Sequence, residues 1–387
     1  MDNSSENLDK GKSISHQIDE QKKLEGEIKQ NITPLSVPIV AESHTPVYNM
    51  HRYFARRPSN VFEAIITHYT NPGDIVLDPF MGGGVTVVES LRSRRKVVGV
   101  DLNPMAWYIV DNEVRNIKLQ TVSKLFKKVE KEVKPQINKL YEVTCDTCGK
   151  LALGKESLWS KVVRCPNLNC SNPVVLNDAK KVSGGRYECP ICNIVFEVIK
   201  SERLGEKLIN VDYCCPHCGV SSGKTPTDKD LERYKHAIDE LETMTTIGQL
   251  SYPEDMIPDG DRVRDDALYK KGYTHFYTLF TRRNLLANAL LKKTILASDA
   301  DTDARKALIF AFSSSLSWTN RMRQEKGGWG YHGYWLPEIS YESNVWDMFK
   351  KQFDGGVHSF WKGKTYSNKE FGNFALPAKD FNALANI

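Results

Sequence analysis

Two aspartates and a run of three glycines have the residue types and the spacing to hold an organic cofactor. Asp78 ends the apolar run DIVLD, and Gly82, Gly83 and Gly84 follow it, ahead of the helix-like segment VTVVESLRSR. A glycine turn between a strand and a helix directs backbone N–H groups at a ligand and lets that ligand approach the main chain closely. Asp101 ends the next apolar run, 23 residues after Asp78. A carboxylate at that point can accept hydrogen bonds from ribose hydroxyls.

These groups favour S-adenosylmethionine over a dinucleotide. The dinucleotide fingerprint G-x-G-x-x-G is not satisfied, because Val85, Thr86 and Val87 follow the three glycines. An acidic residue before the glycines also suits an amine-bearing, cationic ligand better than a pyrophosphate. S-adenosylmethionine carries an amino group, a sulfonium and a ribose, and would satisfy both carboxylates. The alternative is a tight turn that binds no ligand.

The flanking pattern predicts the elements that position these residues. DIVLDPF and KVVGVDLN have the composition of short buried strands, while VTVVESLRSR and PMAWYIVDNEV have that of helices. Strand, helix, strand and helix within about 45 residues form a βαβ unit, which predicts a parallel sheet.

The glycine stretch resembles the signature of a known family. DPFMGGGVT, from Asp78 to Thr86, is similar to the D-P-F-x-G-x-G-x-T motif of amino-group DNA methyltransferases. These enzymes methylate adenine N6 or cytosine N4 with S-adenosylmethionine. The resemblance implies that the cofactor is bound by Asp78, Pro79, Phe80, Gly82, Gly83, Gly84 and Thr86.

Two neighbouring segments extend the resemblance over roughly residues 47–112. HRYFARRPSNVFEAII resembles the family segment that closes over the methionine end of the cofactor, which implies His51, Arg57 and Pro58. VVGVDLNPMA resembles the following motif. It implies Asp101 on the ribose, with Leu102 or Asn103 near the adenine.

The catalytic loop of that family, [D/N/S]-P-P-[Y/F/W], has no counterpart, because the sequence contains no Pro-Pro pair. In the family this loop holds the target amino group and stacks on the flipped base. No catalytic residue is therefore assigned. Either the chain is a natural subunit of a split enzyme whose partner supplies the loop, or it is a truncated gene product. The split enzyme is favoured.

The cysteines indicate zinc rather than disulfides. All nine lie between Cys145 and Cys218, in four close pairs with Cys214 to spare. Such tight turns aim two thiolates at one tetrahedral ion, so eight ligands predict two Zn²⁺ ions. The simplest grouping follows sequence order, as Cys145, Cys148, Cys165 and Cys170, then Cys189, Cys192, Cys215 and Cys218. Buried structural cysteines are the alternative.

The predicted fold class is α/β. The resemblance implies half of a Rossmann-like class I methyltransferase, with an inserted double zinc ribbon and a helical C-terminal part. We expect a flexible arm at residues 1–33 and the cofactor-binding βαβ part at 34–142. The zinc ribbons would occupy 143–222, and a mainly helical part for sheet completion and partner docking 223–387. A zinc ribbon in this place resembles one branch of the family, the adenine-specific DNA methylases.

The resulting hypothesis is the S-adenosylmethionine-binding subunit of a DNA methyltransferase, with adenine N6 favoured over cytosine N4. Its partners would be double-stranded DNA and a second subunit, in a heterodimer or larger assembly. A net charge of +5 is weak support for nucleic acid. No apolar run could span a bilayer and no signal peptide is evident, so a cytoplasmic protein without membrane contact is expected.

Two other functions stay open. One is a zinc-ribbon nucleic-acid-binding or regulatory protein with a vestigial methyltransferase half. The other is an RNA methyltransferase subunit. Basic residues give the ribbons a surface for nucleic acid or only a solvated face; they are Lys150, Lys155, Lys161, Arg164, Lys180, Lys181 and Arg186.

Overall fold

The computed structural model describes residues 33–323 and 336–371. The arm predicted for residues 1–33 lies outside these ranges except for Thr33. Within them, no helix has both the length and the apolar character needed to cross a membrane.

The N-terminal part has the predicted order of elements. A 3₁₀ turn (Pro46–Asn49) leads to helix α1 (Ser59–Tyr69), strand β1 (Ile75–Asp78) and helix α2 (Val85–Arg92). Strand β2 (Lys96–Gly99) and helix α3 (Pro104–Val114) follow. The side chain of Asn103 caps α3 by accepting from the Met105 N–H at 3.0 Å. Strands β1 and β2 pair in parallel, with Asp78 opposite Gly99, which confirms the βαβ unit.

One face of this small sheet is uncovered. Residues paired across parallel strands point to the same face, and Val97, opposite Val76, packs against the main core. On the other face Ile75 and Leu77 are 56% and 65% exposed. The prediction of two buried strands was therefore wrong. Alternate residues of β1 are exposed, and β2 is at most half-buried.

The helical body shares a core with the N-terminal part. It comprises α4 (Leu119–Lys139), α5 (Asp228–Thr246), α6 (Asp261–Asp265), α7 (Arg282–Ala297), α8 (Thr302–Thr319), α9 (Val345–Asp354) and α10 (Phe360–Glu370). The apolar stripe of α4 centres on Phe126, whose ring stacks on Phe353 at 4.1 Å. Val85 and Ile109 belong to the same core cluster, so the βαβ unit is not an independent lobe.

A long antiparallel ribbon projects from this body. Strand β3 (Glu142–Thr144) and the two long strands β4 (Leu151–Arg164) and β9 (Arg203–Cys214) form it with β5 (Pro173–Val175) and β10 (Ser221–Lys224). Three short strands form a separate sheet, namely β6 (Lys180–Ser183), β7 (Arg186–Glu188) and β8 (Val195–Glu197).

The C-terminal strand β11 (Ile339–Ser343) joins the ribbon rather than the parallel sheet. It pairs antiparallel with β4, Ile339 opposite Ser160. Its buried Glu342 accepts from Trp159 Nε1 on β4 at 2.7 Å and from Arg283 on α7. The expectation that residues 223–387 complete the parallel sheet is therefore not met in the described part of the chain, because the strand found there is paired with β4.

Candidate cofactor site and metal sites

The glycine turn is formed by backbone geometry that needs glycine at two of its three positions. Gly82 and Gly84 have φ angles of 50° and 74°, in the left-handed region that glycine occupies without strain. A Cβ at position 84 would also lie 2.3 Å from Val110 Cγ2 on α3. The turn is fastened at its start by the Met81 N–H, which donates to the Val100 carbonyl at 2.9 Å.

Both predicted carboxylates lie at the carboxyl ends of the paired strands. Asp101 accepts from the Gly82 N–H at 2.8 Å through Oδ2 and from the Asn103 N–H at 2.7 Å through Oδ1. Asp78 accepts from the Phe80 N–H at 3.1 Å. Both side chains stay partly exposed, and a carboxylate oxygen can accept a second hydrogen bond. The structure thus connects Asp101 to the glycine turn by a hydrogen bond and leaves both carboxylates in contact with solvent.

Two side chains that the sequence analysis missed cover the glycines. A Cβ at position 82 would lie 3.2 Å from Tyr53 Cε1, and one at position 83 would lie 2.6 Å from Arg56 Nε. Arg56 could have been found only through its ion pair with Glu113 on α3, at 2.6 Å. The local sequence gives no indication of that pair, because the two residues are 57 positions apart.

The other residues implied by the resemblance lie on the segments before and after this turn. His51 faces the helical body, with its Nε2 3.2 Å from Ser313 Oγ and its ring 5.2 Å from Phe310. Burial there lowers the pKa of His51. Arg57 is exposed, Pro58 directly precedes α1, and Thr86 lies in the first turn of α2.

The carboxyl ends of the strands also carry large apolar side chains in full contact with solvent. Phe80, after Pro79, is 86% exposed, and Leu102, before Asn103, is 100% exposed. Together with Ile75 and Leu77 they give the sheet an apolar end and an apolar face. Several exposed large apolar side chains on one small sheet favour a binding surface there.

The cysteines form two tetrads, but not the two that sequence order suggested. One tetrad is Cys145, Cys148, Cys215 and Cys218, and the other is Cys165, Cys170, Cys189 and Cys192, each within 4.8 Å. The predicted grouping was wrong because β4 and β9 are antiparallel, with Leu153 opposite Cys214. The first and last pairs therefore meet at one end of the ribbon, and the two middle pairs meet at the other.

Each tetrad fits a zinc ion. Zn–S bonds of about 2.3 Å in a tetrahedron place the sulfurs roughly 3.8 Å apart. Sulfur distances are 3.7 and 3.5 Å in the first tetrad (145–218 and 148–215) and 3.6 and 4.0 Å in the second (165–192 and 170–189). A residue with a left-handed backbone follows each of the three C-x-x-C pairs, namely Gly149, Asn193 and Gly219. These residues allow the tight turns that bring the two thiols of each pair together.

Comparisons with known proteins single out the segment that contains the glycine turn. Residues 5–112 match a family model described as DNA methylase. The type II methyltransferase M.MjaII of Methanocaldococcus jannaschii is 28% identical over 79 residues, 20% of this chain and 15% of that protein. The type II methyltransferase M.Cfr9I of Citrobacter freundii is 42% identical over 52 residues, 13% of this chain and 17% of that protein.

A third relative, the DNA adenine methyltransferase YhdJ of Escherichia coli, is 42% identical over 48 residues, 12% of this chain and 16% of that protein. The chain thus spans less than a fifth of the length of each of these relatives. No solved structure matches it. The segment that carries the glycine turn and both aspartates is thus similar to DNA methyltransferases, among them a DNA adenine methyltransferase.

Proposed function

We propose that this chain is the S-adenosylmethionine-binding subunit of a split DNA methyltransferase that acts on adenine N6. The observation that carries the proposal is the hydrogen bond between Gly82 N–H and Asp101. It joins the glycine turn of the first strand to the carboxylate of the second, at the carboxyl ends of the two parallel strands. Ligands of open α/β sheets bind at this edge.

Different residues of the site would bind different parts of the cofactor. Backbone N–H groups of the turn and Asp78 would hold the amino acid end, beneath His51, Arg57 and Pro58. Asp101 would accept from the ribose, and Leu102 or Asn103 would flank the adenine. The bound cofactor supplies an activated methyl group on its sulfonium. The chain's part is to orient that methyl group for in-line transfer, so positioning supplies most of the catalysis.

A second polypeptide would supply the loop that holds the target base in double-stranded DNA. Parallel sheets are normally buried on both faces, and unpaired edges invite pairing. The uncovered face of β1, with Ile75 and Leu77 more than half exposed, supports an interface at this place. Two structural zinc ions in the ribbon complete the proposed assembly.

Replacing Asp101 by alanine tests the cofactor site. The substitution removes the acceptor for the ribose and for the Gly82 N–H. S-adenosylmethionine binding should therefore weaken by about 1–3 kcal/mol, as for a lost hydrogen bond to a charged group. Titration calorimetry on the full chain would measure this. Asp74→Ala is the matched control, because Asp74 directly precedes the opposite end of β1 and its carboxylate accepts from the Asn71 N–H. Equal affinities for Asp101→Ala and the wild type would remove Asp101 from the site.

The zinc-ribbon part gives less support to the alternative function, a nucleic-acid-binding or regulatory protein, than the glycine turn gives to a methyltransferase subunit. Four of the seven basic residues predicted to form its surface have an acidic partner: Lys155–Asp347, Lys161–Glu206, Arg164–Glu202 and Lys180–Glu188. Phosphate binding requires cations that are free to replace counterions. An RNA methyltransferase subunit would use the same cofactor site, and the DNA methyltransferases among the relatives favour DNA.

A further inference from the structure

The middle glycine of the turn is required for a different reason from its neighbours. Gly83 has no left-handed φ angle, so its backbone conformation is open to any residue. A Cβ at this position would nevertheless lie 2.6 Å from Arg56 Nε and 3.0 Å from Arg56 Cγ. The space that a side chain would fill is taken by Arg56.

Arg56 cannot move aside cheaply, because its guanidinium is fixed from two sides. Nη1 donates to the Tyr48 carbonyl at 2.7 Å, and Nη2 donates to Glu113 Oε1 at 2.6 Å. The side chain is 6% exposed and that of Glu113 is fully buried. Breaking one side of such a buried pair leaves an uncompensated charge.

The same contacts tie three parts of the site together. Residues 47–58, here called the closing segment, contain Tyr48 and Arg56. Tyr48 donates from its hydroxyl to Glu89 on α2 at 2.6 Å, and Arg56 reaches Glu113 on α3. The closing segment is thus fastened to both helices that follow the two strands of the cofactor site.

We propose that Arg56 is a positioning residue of the cofactor site, which holds the closing segment down on the glycine turn by lying on Gly83. Its Nε, the atom nearest Gly83, is buried and has no hydrogen-bond partner among the described residues, so Arg56 contacts the turn by packing and is held there by Tyr48 and Glu113. This inference rests on the proposed function, because it assigns Arg56 a role in binding S-adenosylmethionine.

The test is a cycle of variants at Arg56 and Gly83, with S-adenosylmethionine affinity measured by calorimetry on the full chain. Burial raises the pKa of Glu113 to about 7, so a buffer at pH 8 keeps this partner ionised. Arg56→Ala should weaken binding about tenfold or more, and Arg56→Lys should recover part of the loss. As a single substitution, Gly83→Ala should weaken binding to a similar extent. Combined with Arg56→Ala it should cause little further loss, because the arginine with which the new methyl group would clash is then absent.

Arg321→Met is the matched control. Arg321 also forms a largely buried, bidentate pair, with Glu206 on β9, but far along the chain from the turn. The Arg321→Met variant should have a lower melting temperature but unchanged cofactor affinity. This comparison separates a positioning role from a general effect on stability. If Arg56→Ala fails to fold by circular dichroism, Arg56→Lys and Gly83→Ala carry the test.

The outcomes separate this inference from the function on which it rests. Two results would overturn the role of Arg56 and leave the proposed function intact. In one, the wild type, Arg56→Lys and Gly83→Ala all bind S-adenosylmethionine with the same affinity. In the other, the double variant shows the sum of the two single losses. A wild-type chain that binds no S-adenosylmethionine would overturn the proposed function, and the inference with it.

Discussion

Purified alone, this chain should transfer no methyl group to DNA, and activity should appear when a polypeptide with a Pro-Pro-aromatic loop is added. The reason is chemical: the sequence has no Pro-Pro pair and therefore no such loop to hold the target amino group. Assembly should bury a large, apolar interface, as expected when a divided core is rebuilt. A radioactive methyl-transfer assay on double-stranded DNA, with and without the second polypeptide, measures the effect.

Two variants of this chain test separately its part in turnover and its part in assembly. In the complex, Asp78→Ala should abolish turnover. Ile75→Lys should prevent assembly, because it places a charge in the apolar face of β1. Val182→Lys is the control, since Val182 is a comparably exposed strand residue (47%) on the zinc ribbon. Robust methylation by the chain alone, free of copurifying protein, would refute the split and require a catalytic loop of unfamiliar sequence within these 387 residues.

Zinc content should distinguish the two ways of grouping the cysteines. Wild-type protein should contain about two zinc ions per chain, one for each tetrad. Cys148→Ser with Cys215→Ser removes two ligands from one tetrad, and about one zinc ion should remain. Grouping in sequence order would place these two cysteines in different sites and leave none. Elemental analysis of the purified double variant gives the count.

The reciprocal pair of substitutions serves as the control. Cys148→Ser with Cys170→Ser damages both tetrads as the structure has them, so both zinc ions should be lost. The alternative grouping would keep one. Retention of one ion here, or iron in place of zinc in the wild type, would overturn the ligand assignment.

The βαβ unit could be predicted from sequence because its signals are local. Apolar runs, a glycine turn and a proline at the first turn of α3 each act over a few residues. The same signals place Asp78, the glycines and Asp101 at the carboxyl ends of the two strands, and their role in binding a ligand stays a prediction. The cysteine spacing likewise predicted how many ions the ribbon could hold.

What could not be predicted depends on contacts between distant segments. The cysteine grouping is decided by the antiparallel register of β4 and β9, which leaves no local trace. The role of Arg56 is decided by Glu113 on another helix. The exposure of Ile75 and Leu77 depends on what else packs on the sheet, and an apolar strand has the same composition whether its cover is present in the chain or absent.

Nested cysteine pairs favour a fixed order of metal loading. Cys170 and Cys189 are 19 residues apart, whereas Cys148 and Cys215 are 67 apart, and closing the longer loop costs about 1 kcal/mol more chain entropy. An ion held at the inner site would start the pairing of β4 with β9, and that pairing would bring the outer cysteines together. Only then does β4 offer an ordered edge to β11, where Trp159 meets Glu342 across 183 residues of sequence. Zinc supply would thus set the rate at which the last strand of the described chain finds its place.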